Sequence, residues 1–242
     1  MKESFDRKSN KNRVILIIPA YNEAGNLPRV VSDILSQDFP MDYVIVSDGS
    51  TDGTRELCER EHYNYIELPV NLGLPGCFQT GMKYAYRMGY DFAVQFDGDG
   101  QHRAADVEAL YNKMKEGGYD IVQGSRFLEK KKGGSMREIG SRLISMAIKL
   151  TTGKTITDPT CGLRMYSHKV IEGFANRLNY GPEPDTVSYL IKNGARVVEA
   201  SVIINERLSG ESYLVPINAI KYMARMLISI LVIQCSRKKD LL

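Results

Sequence analysis

The chain has 242 residues, 43% of them apolar and 25% charged, which is the composition of a folded globular protein with a sizeable core. Disorder, a collagen-like repeat and a disulfide scaffold are excluded. The 32 basic and 29 acidic side chains leave a net charge of +3, too slight to argue for nucleic acid as a partner.

Residues 1–12 are polar and charged and read as a flexible tail, without the apolar stretch of a signal peptide. Val14 to Ile18 is a continuous apolar run, as expected of a strand buried on both faces. Leu27, Val30, Val31, Ile34 and Leu35 then fall on one helical face, with Pro28 in the first turn. Tyr43 to Val46 predicts a second strand, and Thr51 or Asp52 is placed to cap a helix running to Glu61. Tyr65 to Leu68 reads as strand, Gly76 to Arg87 as helix, Phe92 to Phe96 as a buried strand. Ala104 to Lys115 follows as a helix with Val107, Leu110, Tyr111 and Met114 on one side, then Asp120 to Gln123 as strand. This alternation predicts an α/β fold, a mainly parallel, Rossmann-like sheet with helices on both faces.

The second half is less regular. Lys130 to Gly134 reads as an exposed loop, Arg137 to Leu150 has helical periodicity, and Arg196 to Ile204 is apolar and β-rich. Tyr213 to Cys235 predicts a long amphipathic helix with Pro216 in its first turn. Asn218, Lys221, Arg225 and Ser229 form a narrow polar stripe on it, and Ile217, Ile220, Met223, Leu227, Ile230 and Leu231 a wide apolar arc. Arg237, Lys238 and Lys239 follow, suited to anionic headgroups. The expected layout is a domain over 13–212 and an amphipathic helix with a basic tail over 213–242. That helix is expected to dock on a membrane surface or on a partner. The longest apolar stretch, Met226 to Ile233, falls far short of the roughly 20 residues of a membrane span. Cys58, Cys77, Cys161 and Cys235 are scattered, which excludes a zinc knuckle or a C-x-x-C pair and suits a reducing cytoplasm.

Ligands of an open parallel sheet bind beyond the carboxyl ends of its strands. Three predicted strands end in polar clusters: PAYNE at 19–23, DGSTDG at 48–53 and DGDGQH at 97–102. One such cluster is as readily an ordinary turn; three at one edge point to a site. Asp97 and Asp99, two apart with glycine between them at a strand end, can aim hard oxygen ligands at one Mg²⁺ or Mn²⁺ whose shell a substrate diphosphate completes. His102 is a further ligand or a hydrogen-bonding group.

With NLG at 71–73 these clusters resemble family 2 glycosyltransferases of the GT-A fold. GSRF at 124–127, DPTCGLRMY at 158–166 and ERLSGES at 206–212 are similar to the dolichyl- and polyprenyl-phosphate sugar synthase branch, and the similarity runs in order over about 13–215. The resemblance implies that Pro19, Tyr21 and Glu23 line the nucleotide base and ribose and that Asp48 hydrogen-bonds one of them. It implies that Asp97 and Asp99 hold the metal, that Gly98 leaves room for the ribose, and that Gln101 adds a metal or sugar contact. Arg126 and Arg207 match arginines that grip phosphate, a task the guanidinium fork suits. Two features depart from the branch: Tyr213 stands where a lysine is common, and the segment Tyr180 to Asp185 differs.

The function so implied is an inverting transfer of a hexose from a nucleotide sugar to polyprenyl phosphate at the cytoplasmic membrane face, with a small membrane protein or a second copy as possible partners. UDP is expected from general usage, not from any residue. A phosphate acceptor is largely dianionic at neutral pH, its second pKa being about 6, and needs no base. A sugar hydroxyl acceptor, as in polysaccharide or lipid-linked oligosaccharide extension, needs one. Glu183 and Asp185 are the candidates, unless they cap the helix predicted from Thr186 to Asn193. A nucleotidyltransferase would want lysine in the loop after the first strand, and PAYNEAGN has none. A non-catalytic sugar-nucleotide binder would tolerate decay of the aspartate pair, which is intact.

Overall fold

The computed structural model describes residues 12–130, 132–205 and 216–234. The tail before Asn12, Arg207 with its loop, and the basic cluster at 237–239 lie outside the described residues.

Seven strands form one sheet in the order β3-β2-β1-β4-β6-β5-β7. In chain order they are β1 (Val14–Ala20), β2 (Asp42–Asp48), β3 (Tyr65–Leu68), β4 (Phe92–Gln95), β5 (Ile121–Ser125), β6 (Arg164–Ser167) and β7 (Val197–Ser201). All pairings are parallel except those of β6, which runs antiparallel between β4 and β5. The interior strand β1, between β2 and β4, is apolar without alternation because both of its faces are covered. Ile15 and Ile17 join the core beneath α3 (Gly73–Arg87), α5 (Met136–Thr152), α6 (His168–Asn176), α7 (Pro184–Lys192) and α8 (Pro216–Ile228). Leu16 and Ile18 join the core beneath α1 (Leu27–Leu35), α2 (Thr54–Arg60) and α4 (Asp106–Gly117).

The predicted alternation and the coverage of both faces are borne out. Details differ for local reasons. Leu35, placed by periodicity on the apolar face of α1, is exposed at its last turn, while Leu27, Val30, Val31 and Ile34 are buried. Helix α2 begins after Gly53, which takes the left-handed conformation at φ 87°; Asp52 sits one residue earlier, where its carboxylate accepts from the Thr54 N–H. Helix α8 continues into a π-helical turn, Ser229–Ile233. Among the described residues no helix is long and apolar enough to cross a membrane.

Candidate functional site

The loops after β1 and β2 are stitched into one rim. Asn22, with φ 58°, donates its N–H to Ser50 Oγ and accepts from Thr51 N–H through its side-chain oxygen. Glu23 N–H donates to Thr54 Oγ1 and Ala24 N–H to Asp52 Oδ2. Burial alone would raise the Asp52 carboxyl, but the Thr54 hydroxyl and the Ala24 and Thr54 amides hold it below the usual carboxylate range. Tyr21 is exposed on this rim, beside the half-buried Pro19 and Glu23. Asp48 is buried at the end of β2. Its two oxygens accept from the N–H groups of Leu72 and Gly73, at 2.6 and 2.8 Å, and so hold the NLG loop where α3 begins.

Beyond β4 the chain turns sharply. Asp99 Oδ1 accepts from Gln101 N–H at 3.0 Å, which keeps the Asp99 carboxylate inside the turn and largely buried. His102 folds back beneath Asp97: its Nδ1 accepts the Asp97 N–H at 3.0 Å. An accepting Nδ1 puts the ring proton on Nε2, which lies 3.5 Å from Asp97 Oδ2. The histidine therefore orients the carboxylate from behind. The space opposite is taken by Gly162, where a Cβ would lie 2.5 Å from Asp97 Oδ2 and 3.1 Å from His102 Cε1. Asp97 is the more exposed of the two aspartates and opens into a cleft of about 460 Å³.

Arg126, just after β5, stands across this cleft. Its Nε and Nη2 form a fork with the fully buried Asp158 at 2.7 and 2.9 Å, and its own N–H meets the same carboxylate at 3.2 Å. Asp158 is fixed in turn: Glu199 on β7 accepts from the N–H groups of Thr157 and Asp158 and from the Thr157 hydroxyl. Arg164, fully buried on β6, donates to Gln123 Oε1 and to the carbonyls of Pro159 and Pro182. The hydrogen-bonded fork to Asp158 raises the Arg126 pKa further, so the group is a permanent cation. It leaves Nη1 with no hydrogen bond among the described residues. Phe127, Ile144, Ile204 and Met223 give the cleft apolar walls beside this charge.

The predicted residues do not all converge. Asp97, Gln101, His102 and Arg126 line one cleft. Asp185 does not: it lies in the first turn of α7, where the C-terminal helix covers it, and its Oδ2 accepts from Ser229 Oγ at 2.6 Å. As a catalytic base for that cleft it is displaced. Glu183 is likewise tied, accepting from the Tyr222 hydroxyl at 2.6 Å. Ser229, expected on the narrow polar stripe, is buried at this contact, so one side of the C-terminal helix belongs to the fold while Ile228 and, in the π-helical turn, Leu231, Val232 and Ile233 stay exposed. Gly98 has a structural reason of its own. A Cβ there would lie 3.0 Å from the Pro19 carbonyl oxygen, so the missing side chain also lets two strand ends meet. Arg207 lies outside the described residues, but the chain leading to it is anchored at the site: Asn205 N–H donates to the Gln101 carbonyl and Gln101 Nε2 to the Asn205 carbonyl.

The donor set fits a hard divalent cation. Two carboxylates sit at one strand end with Gln101 beside them, and no group of three or more His, Cys, Asp or Glu among the described residues is arranged to hold a metal alone. A hard cation held by these groups would take its remaining ligands from substrate oxygens. Sequence reasoning missed the support of this centre: Asp158 as the partner of Arg126, Gly162 as the space for Asp97, and Glu199 behind Asp158. The DPTCG motif was visible but gave no sign of its targets, which lie on other strands.

The model of the family described as glycosyl transferase family 2 matches residues 15–174. Polyprenol monophosphomannose synthase of Mycolicibacterium smegmatis is 28% identical over 216 residues, covering 83% of this chain and 80% of that protein. The UDP-N-acetylglucosamine–dolichyl-phosphate N-acetylglucosaminyltransferase of Methanococcus voltae is 31% identical over 185 residues, covering 68% of this chain and 73% of that protein. Among solved structures, glucosyl-3-phosphoglycerate synthase from Mycobacterium tuberculosis, in complex with Mn²⁺ and UDP-glucose, matches with a TM-score of 0.68 at 17% identity. It covers 94% of this chain and 80% of that one. These findings bear out the family and the GT-A fold.

Proposed function

Because the chain belongs to glycosyl transferase family 2, we propose that it moves a hexose from a nucleotide sugar, a UDP-sugar, to polyprenyl phosphate at a membrane surface, with inversion and with Mg²⁺ or Mn²⁺. The two relatives above act, by their names, on polyprenyl or dolichyl phosphate, and one uses a UDP-sugar.

The observation that carries this reading is the state of the ionisable groups around the cleft among the described residues. A hydroxyl acceptor needs a base within reach. Asp97 is backed by His102, whose Nδ1 is already engaged. Glu138 is tied to Ser135 and Gly133, whose hydrogen bonds hold its carboxyl below the usual range. Asp185 and Glu183 are held by the C-terminal helix. Against these stands the cation Arg126 with an open Nη1, next to apolar walls that suit an isoprenoid. A phosphate dianion needs such a cation and no base.

Asp97 and Asp99, with Gln101, would hold the divalent ion, which supplies positive charge to the departing diphosphate. Arg126, oriented by Asp158, stabilises phosphate charge where it collects, from a position fixed before substrate arrives. Tyr21, Glu23 and Asp48 shape the rim against which the nucleoside rests, and Arg207 adds a second fork. The test is incubation with a panel of nucleotide sugars and a short polyprenyl phosphate, with products identified by mass. A single hexosyl-phosphoprenol product supports the reading; transfer to sugar hydroxyls alone overturns it.

A further inference from the structure

Arg126 is held from two sides, and both lead to one carboxylate. On the side-chain side its fork rests on Asp158, whose own N–H donates to Glu199 Oε1 at 2.9 Å. On the backbone side the Phe127 N–H donates to Ser125 Oγ at 3.2 Å. Ser125 Oγ lies 2.7 Å from Thr157 Oγ1, which in turn donates to Glu199 Oε1 at 2.9 Å. Ser125 and Asp158 are fully buried, and Glu199 is half-buried on β7.

The chemistry of Glu199 sets the direction of this chain. An ionised carboxylate only accepts, so the Thr157 hydroxyl gives its one proton to Glu199. Thr157 then has only lone pairs for Ser125, and the Ser125 hydroxyl donates to it. Ser125 is left with lone pairs for the Phe127 N–H. The reverse order would set the Thr157 lone pairs against the carboxylate. The backbone on either side of Arg126 is therefore fixed from the same group that fixes Asp158. The sheet does not need that group for its own cohesion, because the ladder between β5 and β7 already holds the strand. What the carboxylate adds is a fixed place for the N–H groups of Thr157 and Asp158 and for the Thr157 hydroxyl. Bonds to a charged acceptor are the stronger kind.

We propose that Glu199 is the positioning residue of the phosphate-binding cation: through Asp158 and through the Thr157–Ser125 hydroxyl pair it fixes the Arg126 guanidinium so that Nη1 is presented to the acceptor phosphate. Glu199 itself touches no substrate. It acts only through Arg126, and its loss is felt at the acceptor and not at the donor. The proposal rests on the phosphate-acceptor reading of Arg126 and names the group on which that geometry depends.

Steady-state transfer by the full-length protein to a short-chain polyprenyl phosphate, with the donor KM and the Kd for the same acceptor, tests it. Glu199→Ala should lower kcat/KM for the acceptor about 10²-fold, the cost of a displacement of about 1 Å in a positioned group, and leave the donor KM unchanged. Glu199→Gln keeps Oε1, the atom that takes the Thr157 and Asp158 donors, and should stay within about fivefold of wild type, the difference between a charged and a neutral acceptor. Thr157→Val keeps the shape and breaks only the hydroxyl arm, so about a tenfold loss is expected. In an Arg126→Ala background, Glu199→Ala should cost less than about threefold more, because nothing remains for it to position. Losses that multiply in that cycle overturn the proposal, as does a folded Glu199→Ala protein with wild-type acceptor kinetics. An equal rise in the donor KM also overturns it and makes Glu199 a general support of the fold. Should Glu199→Ala not fold, Thr157→Val replaces it in the cycle, and multiplied losses there overturn the proposal equally. Wild-type protein that neither binds nor uses the prenyl phosphate removes the acceptor reading itself; wild-type transfer with multiplied losses removes only the role of Glu199.

Discussion

Replacing Gly162 with alanine adds one methyl group to the back of the aspartate centre. Gly162 has no positive φ, so the backbone accepts the change. The new Cβ would lie 2.5 Å from Asp97 Oδ2 and 3.3 Å from Asp97 Cγ. Carbon and oxygen come to rest at more than about 3 Å, so the carboxylate must move by roughly 0.7–1 Å. His102 Cε1, at 3.1 Å from the same point, closes one way of escape, and the cleft offers the other. Since the Asp97 side chain is 37% exposed, it can swing outward, and the folding cost should sit at the low end of the ~1–3 kcal/mol typical of overpacking. The chemical cost is larger. A displacement of about 1 Å in a positioned group costs on the order of 10²-fold in rate, or about 2.7 kcal/mol of barrier. Release of nucleoside diphosphate, measured across a Mn²⁺ titration beside the thermal midpoint, should show kcat/KM down about 10²-fold and more metal needed for half-maximal rate. A folded Gly162→Ala protein that keeps kcat/KM within about threefold of wild type would refute the argument that this strap positions Asp97.

Asp99→Asn keeps the shape of the turn and removes a charge, so turnover should fall by about 10² or more while the fold survives; activity that persists in the mutant with EDTA would remove the metal from the reading. Asp185→Ala should leave transfer to polyprenyl phosphate measurable and lower the unfolding free energy by about 1–3 kcal/mol, because Ser229 and the Thr186 N–H lose a charged acceptor. Complete loss of chemistry with donor binding intact would restore it as a base and favour a hydroxyl acceptor. Burial pushes the thiol of Cys58 up to about 11 and those of Cys77 and Cys161 up to about 12. At pH 8 about a thousandth or less of each is thiolate. A thiol reagent should therefore modify at most one cysteine per native chain, Cys235, and all four after unfolding; rapid labelling of Cys161 in the native protein contradicts the burial assigned to it.

The sequence was legible where local pattern and global position agree. The continuous apolar run of β1 matches a strand covered on both sides, and the sheet places it in its interior. Asp97 and Asp99 stood out because a polar cluster directly follows an apolar strand. Strand β6 was hidden because it has four residues and begins with Arg164, a side chain that usually marks surface. Here the guanidinium is fully buried and held by carbonyl and amide oxygens. Asp185 was misplaced for a different reason. Its N-terminal position on α7 was visible, but what covers that helix end comes from residues some 40 positions later.

Antiparallel β6 explains why the centre is assembled from such distant parts. A parallel strand between β4 and β5 would enter from the opposite edge of the sheet and leave the carboxyl ends to their own loops. Running the other way, β6 begins at the edge where β4 and β5 end, and its register sets Arg164 beside Gln95 and Gln123. The residues just before it, 157–162, must then lie across the carboxyl ends of both neighbours. That one strap brings Gly162 against Asp97, Asp158 against Arg126, and Thr157 against Glu199 on β7. Asp97 and Arg126 thus rest against one backbone segment of a few residues, which fixes their separation more tightly than two independent loops would. Under the proposed transfer from a nucleotide sugar, charge fixed in this way need not move when the diphosphate leaves.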